Sequence, residues 1–161
     1  MAKEDIVKGN AKVIAALNER LAEELAATVQ YMLHAEMCAD WGYGKLHEVL
    51  EKRAIVEMRH WEKLVERILF LEGRPIVTKM GPVQIGSDVV KLHQHDLKAE
   101  HDAVKLYNKT IKLCAEEGDH TTKVLLEGIL KDEEDHVDWI ETQLGLIEEL
   151  GLENYLTEQT E

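Results

Sequence analysis

Proline and aromatic residues are scarce in this chain, with two prolines and one phenylalanine among 161 residues. So little proline leaves room for long unbroken helices, and the low content of alternating β-branched segments excludes a sheet architecture. Two cysteines, Cys38 and Cys114, with no Cys-x-x-Cys, exclude a disulfide scaffold and a structural zinc site. No stretch of about 18 apolar residues is present to span a bilayer. Met1 to Asn10 lacks the apolar core of a signal peptide, so a cytoplasmic location is the expectation. Positive charge is also short: 19 Lys and Arg face 32 Asp and Glu, a net charge of −13. That balance disfavours nucleic acid and anionic membranes as partners and favours cations. Neither a Gly-rich phosphate loop nor a Ser/His/Asp arrangement is found.

What the chain has is long apolar-striped helical runs rich in Ala, Leu, Glu and Lys. Asn10 can cap a first helix to about Ala39, with Val13, Leu17, Leu21, Glu24, Thr28, Tyr31 and Ala35 on one face. After a turn at Trp41-Gly42-Tyr43-Gly44, a second helix is expected over Lys45 to Glu72, stopped by Gly73 and Pro75. Its stripe reads Leu46, Leu50, Ile55, Leu64, Ile68 and Leu71. Gly73 to Ser87 holds both prolines and is not helix; about 15 residues at roughly 3.3 Å each can run the full length of the bundle. The second and third helices are then parallel, giving an all-α, up-down-down-up four-helix bundle. Ser87 or Asp88 caps the third helix, to about Glu117, and the fourth covers His120 to Leu150. Leu152 to Glu161 can dock a short fifth helix. All 161 residues are read as one domain.

Each of the four helical runs contains residues that do not belong in an apolar core. Glu57 and His60, three residues apart, share one helical face, and Glu133 and His136 repeat the pair 76 residues later. Glu24 and Glu100, lone acids in the other two helices, are also 76 apart, as are Tyr31 and Tyr107, Leu21 and Leu97, Ala27 and Ala103, and Cys38 and Cys114. The chain is thus two copies of a helix pair, each giving one lone Glu and one Glu-x-x-His. Such a set of six is the donor set of di-iron or di-manganese carboxylate bundles. Four carboxylates balance two divalent cations, and oxygen-rich donors with one imidazole per ion suit iron or manganese. Glu57 and Glu133 are expected to bridge the ions, with Glu24 and Glu100 terminal. Tyr31 and Tyr107, two turns beyond the lone acids, could donate an electron or hydrogen-bond to a ligand; Tyr31 is the candidate catalytic residue. The remaining histidines, His34, His47, His93, His95, His101 and His120, lack a partner pattern and are expected to be mostly solvated, as is the acidic run Asp132 to Asp135 apart from Glu133. Met58 points away from the metal stripe and, with Val49, Leu50 and Trp61, suggests a subunit contact on the outer side of its helix.

Five stretches carry a family resemblance: Glu24-Leu-Ala-Ala-Thr-Val-Gln-Tyr31 with Leu33-His34-Ala35; Glu57-Met-Arg-His60; Glu66-Arg-Ile-Leu-Phe-Leu-Glu-Gly73; Asp132-Glu-Glu-Asp-His136 with Asp138-Trp139; and Gly151-Leu-Glu-Asn-Tyr-Leu156. Over essentially its whole length the chain resembles a bacterioferritin, the haem-containing branch of the ferritins. The resemblance implies a hollow cage of 24 subunits built of two-fold dimers that oxidises Fe(II) with O2 or peroxide and stores the ferric mineral. It implies two iron ions per subunit at Glu24, Glu57, His60, Glu100, Glu133 and His136. It also implies a b-type haem shared by two subunits through Met58, and an electron donor for iron release. Where some members carry a His and an Asp before Glu-x-x-His, this chain has Lys52 and Val56. The competing reading is a dimeric, rubrerythrin-like di-iron peroxidase, a family that usually adds a Cys-rich domain missing here.

Overall fold

The computed structural model describes residues 9–161, so the reading of the chain's start lies largely outside the described residues. Five helices follow in order: α1 (Ala11–Asp40), α2 (Gly44–Phe70), α3 (Val89–Glu116), α4 (His120–Leu150) and α5 (Leu152–Thr157). No strand occurs among the described residues, and none of their helices is long and apolar enough to cross a membrane. The Asn10 side chain caps α1 by accepting from the Lys12 and Val13 amides, a contact of about 1 kcal/mol. Asp88, not Ser87, caps α3, and Asp119 caps α4.

The hairpins α1–α2 and α3–α4 turn alike. Each helix ends on a glycine at positive φ, Gly42 at 88° and Gly118 at 74°. The next amide then reaches back to a cysteine carbonyl, Tyr43 to Cys38 and Asp119 to Cys114, at 2.8 Å in both cases. The end of α2 differs from expectation. The helix stops at Phe70, two residues early, because Glu72 takes the left-handed position (φ 62°) and the Gly73 amide closes onto the Ile68 carbonyl at 2.9 Å. Gly73 is there for contact: a Cβ would lie 2.7 Å from the Ile14 side chain.

The crossover climbs along α1, bonding in turn to Asn18, Ala22, Gln30 and His34 from residues 76, 81, 84 and 86. It therefore delivers α3 to the end of the bundle where α1 finishes, and α3 runs parallel to α2. The other end agrees: Asn10 at the start of α1 meets Glu117 after α3, and Arg67 near the end of α2 bonds Thr122 and Asp119 at the start of α4. The up-down-down-up bundle with one long connection follows.

Two apolar clusters fill the ends. One gathers Val13, Leu17, Leu21, Leu64, Ile68, Cys114, Leu126 and Ile129; the other gathers Ala35, Cys38, Leu46, Leu50, Ala54, Val89, Leu92 and Tyr155 of α5. The free cysteines thus lie in different clusters, and burial pushes the Cys38 thiol up to about 12 and the Cys114 thiol up to about 11. Three expectations fail. Ile55 is 42 % exposed instead of joining the stripe, because it falls on the outward side of α2. Leu50, read both in the core-facing stripe and beside Met58 as a subunit contact, is fully buried, so it belongs to the stripe and not to the outer face. His34 and His93, expected in solvent, are fully buried, since each finds hydrogen-bond partners on neighbouring elements.

Candidate metal centre

Between the two apolar clusters the four long helices converge on Glu24, Glu57, His60, Glu100, Glu133 and His136, all buried. Helical spacing puts each acid in the stripe that already faces the core, so packing the stripes carries the acids inward. Nδ1 of His60 lies 3.1 Å from Glu57, 3.1 Å from Glu133 and 3.5 Å from Glu24. Nδ1 of His136 lies 3.0 Å from Glu57 and 3.1 Å from Glu100. The imidazoles stack with centroids 6.4 Å apart. Two four-residue groups can each offer ligand atoms within 4.8 Å of one another: Glu24, Glu57, His60 and Glu133, and Glu57, Glu100, Glu133 and His136. They share Glu57 and Glu133.

A cluster of buried acids can instead be held by lysine or arginine. Here, among the described residues, no Lys or Arg nitrogen lies within 4.0 Å of any of the four glutamates; their ion-pair partners are the two histidines alone. Oε1 of Glu57, Oε2 of Glu100 and Oε1 of Glu133 are buried without an aligned hydrogen bond, although Glu57 and Glu133 lie close to an imidazole nitrogen. Buried oxygens aimed at a common point and lacking donors fit a cation.

The electrostatics agree. Burial, then the charge of Glu57, holds the Glu24 carboxyl well above the usual range. Burial, then Glu100, does the same to Glu133. Burial would raise Glu57 as well, but hydrogen bonds from His136 and His60 outweigh it and hold that carboxyl low. Burial works against charge on both imidazoles, yet the surrounding acids win and raise both. Two divalent ions bound among these groups would displace the protons that such shifts favour.

The tyrosines cross the repeat. The Tyr31 hydroxyl donates to Glu100 of the other half, and the Tyr107 hydroxyl donates to Glu24. A cavity of about 400 Å³ between α1, α3 and the crossover reaches Glu24, Glu100 and Glu133, with both tyrosines in its wall. Arg53 stacks its guanidinium over Tyr31 at 5.8 Å and over Trp139 at 5.4 Å. One contact went unread in the sequence. Asp132, assigned to an exposed acidic run, is only part-exposed and lies 2.9 Å from Nε2 of His60. Because it belongs to a different helix from His60, no spacing along one helix reveals it.

The chain matches the ferritin family's ferritin-like domain over residues 14–150. It is 43 % identical over 149 residues to a bacterioferritin of Rhodobacter capsulatus, covering 92 % of each chain. It is 42 % identical to a bacterioferritin of Brucella melitensis over 149 residues, again 92 % of each. The chain belongs to the bacterioferritins. A bacterial ferritin of Synechocystis is 41 % identical over 154 residues, 95 % of this chain and 99 % of the relative. Within this bacterioferritin, Met58 sits part-buried on the outward side of α2. Ile55 of α2 and Val29, Met32 and Leu33 of α1 are exposed apolar residues.

Proposed function

We propose that this bacterioferritin is an iron-storage protein whose subunits enclose a hollow cage, and that each subunit oxidises Fe(II) at the six-residue centre. Glu24 and His60 serve one ion, Glu100 and His136 the other, and Glu57 and Glu133 bridge them. The observation that carries this reading is the pair of donor sets sharing Glu57 and Glu133 with no Lys or Arg to neutralise them. Two Fe(II) ions bring +4 to four carboxylates, so the substrate replaces protons at no net charge in a buried site. Each ion then gives one electron to O2 or peroxide. The chain's own contribution is to hold the ions side by side, to take up and release protons at Glu24 and Glu133, and to exclude bulk water. The cavity beside Tyr31 and Tyr107 is a route by which ions reach the acids.

The same reading extends to a cage of 24 subunits built from two-fold dimers, to one ferritin-like domain over residues 1–161, and to a cytoplasmic setting. Met58 with its mate in a two-fold-related subunit would hold a b-type haem, which supplies one-electron transfer from an external donor when stored iron is released. A rubrerythrin-like peroxidase finds no support among the relatives.

The test is Glu57→Ala. Rapid Fe(II) oxidation, followed by ferric absorbance, should fall at least a hundredfold while the assembly keeps its native mass, because losing a bridging group disables both ions. An unchanged initial rate would remove the centre from consideration, and a native mass near that of a dimer would remove the cage. Met58→Leu should abolish haem binding and leave oxidation intact.

A further inference from the structure

We propose that Glu36, His47 and Glu51 bind a divalent transition ion, with Zn(II) as the type, at a surface site separate from the centre. The three residues stand where the α1–α2 hairpin closes, Glu36 near the end of α1 and His47 and Glu51 one turn apart near the start of α2. One donor atom from each lies within 4.8 Å of the other two. Nδ1 of His47 is 3.9 Å from Glu36 and Nε2 is 3.7 Å from Glu51, both too long for hydrogen bonds. The imidazole is oriented from outside the group. Its Nδ1 lies 3.0 Å from the Ala35 carbonyl, which only accepts, so Nδ1 carries the hydrogen. In the neutral ring Nε2 then turns its lone pair toward the Glu51 carboxylate. Two acceptors facing each other repel unless a cation stands between them, and donors bonded to one ion at about 2.1 Å sit up to about 4.2 Å apart. A carbonyl on the far ring nitrogen is also how metal-bound imidazoles are fixed.

The repeat supplies the contrast. Seventy-six residues on, Glu36, His47 and Glu51 correspond to Lys112, Lys123 and Glu127. There Lys123 neutralises Glu127 at 2.9 Å. In the first hairpin both lysines are replaced, one by a second carboxylate and one by the imidazole. Among the described residues no Lys or Arg nitrogen lies within 4.0 Å of Glu36 or Glu51, whose ion-pair partner is His47 alone. α1 has no basic residue in its last turn either, so the negative end of its dipole adds to the two acids. One divalent ion balances two carboxylates, as two ions balance four at the centre. An imidazole and two carboxylates, with water in the open positions, hold such an ion without cysteine. Glu36 lies three residues beyond Leu33 and Glu51 four before Ile55, so the ion sits at the end of the exposed apolar strip on α1 and α2.

The experiment dialyses the full-length, metal-stripped protein against a series of free Zn(II) concentrations and counts bound zinc by elemental analysis, since Co(II) surrounded largely by water absorbs only faintly in the visible. The wild type should take up a third, weaker ion per subunit after the two of the buried centre. His47→Lys copies Lys123 and gives Glu51 the partner that Glu127 already has, so the hairpin keeps its fold. This variant and Glu36→Lys should each lose the third ion, its midpoint rising at least about tenfold. Glu141→Lys, which breaks the exposed pair of His101 and Glu141 at 3.5 Å elsewhere on the surface, should keep all three. Anomalous diffraction from crystals soaked in Zn(II) should place the third ion between the three side chains. A third ion that survives His47→Lys, or that Glu141→Lys removes as well, overturns the site, and so does anomalous density at the buried centre alone.

Discussion

The middle of the bundle and its two ends obey different rules. In the middle the repeat of 76 residues is exact in chemistry, with acids, imidazoles and phenols matched in pairs. At the ends the matched positions diverge. Asp96 and His34 form a buried pair 2.9 Å apart where α1 finishes, and at the repeat-related place Arg20 reaches Thr110 instead. His93 is buried against Tyr155 and Trp139, whereas its counterpart Leu17 is buried in hydrocarbon. The reason is topological. The crossover lands, and α5 docks, at one end only. Gln30 and His34 accept amides from residues 84 and 86 of the crossover, and Asp96 in turn takes hydrogen bonds from both side chains. Symmetry persists where two equal ions need equal surroundings and fails where a connection must be tied down.

The largest effect should come from testing the symmetric middle. If Glu57 and Glu133 bridge and Glu24 and Glu100 are terminal, Glu133→Ala should cost both ions, and Glu24→Ala or Glu100→Ala only one. Anaerobic titration with Co(II), read by its visible absorbance, counts the ions. We expect two per subunit in wild type, about one in each terminal variant, and none bound at concentrations roughly a hundredfold above the wild-type midpoint in Glu133→Ala. Equal losses in all three variants would break the division between bridging and terminal acids.

These same positions mark what the sequence could and could not disclose. A repeat advertises matched residues, so six donors and two tyrosines spread over four helices could be read as one group before any coordinates. The helix order was legible from the length of the crossover. Unmatched residues were silent. His34, His93 and Asp132 sit at places whose counterparts are Thr110, Leu17 and Val56, so the offset drew no attention to them, and polar residues without a partner are assigned to solvent by default. Each is held by a residue from another element, and such contacts leave no period in the chain. The early end of α2 has a similar cause: the residue at positive φ is Glu72, while the glycine that sequence reasoning relied on is placed one position later by its contact with Ile14.

His93 offers a test of an end. Tyr155 donates its hydroxyl to Gln143, so Nε2–H of His93 donates to the Tyr155 oxygen at 3.1 Å, and Nδ1 is left buried with no partner. Burial, and then the nearby His34, push this imidazole down to about 4 from 6.5. The folded protein keeps it neutral where the unfolded chain would protonate it. Its contribution to stability is thus complete above pH 6.5 and lost as pH falls toward about 4. At about 1.4 kcal/mol per unit, the loss is about 3 kcal/mol. His93→Leu, which copies Leu17 from the other end, should flatten the dependence by that amount in urea unfolding compared between neutral pH and the lower limit. An unchanged slope would mean that other groups set the acid sensitivity of this end.

The smallest effect probes the border between middle and ends. Asp132 lies 2.9 Å from Nε2 of His60, so in the neutral imidazole that nitrogen carries the proton and Nδ1 presents its lone pair to the acids. The repeat-related residue for His136 is Val56, which can accept nothing. The two halves of the centre should therefore differ in affinity, with the His60 side the tighter. Removing an acceptor of this kind costs about tenfold in metal binding. Asp132→Ala should weaken only the first Co(II) to bind and bring the two affinities together, while Val56→Asp should strengthen the second. If both ions weaken equally in Asp132→Ala, the acid acts on the centre as a whole through its charge, and the asymmetry around the two histidines has no bearing on how they hold metal.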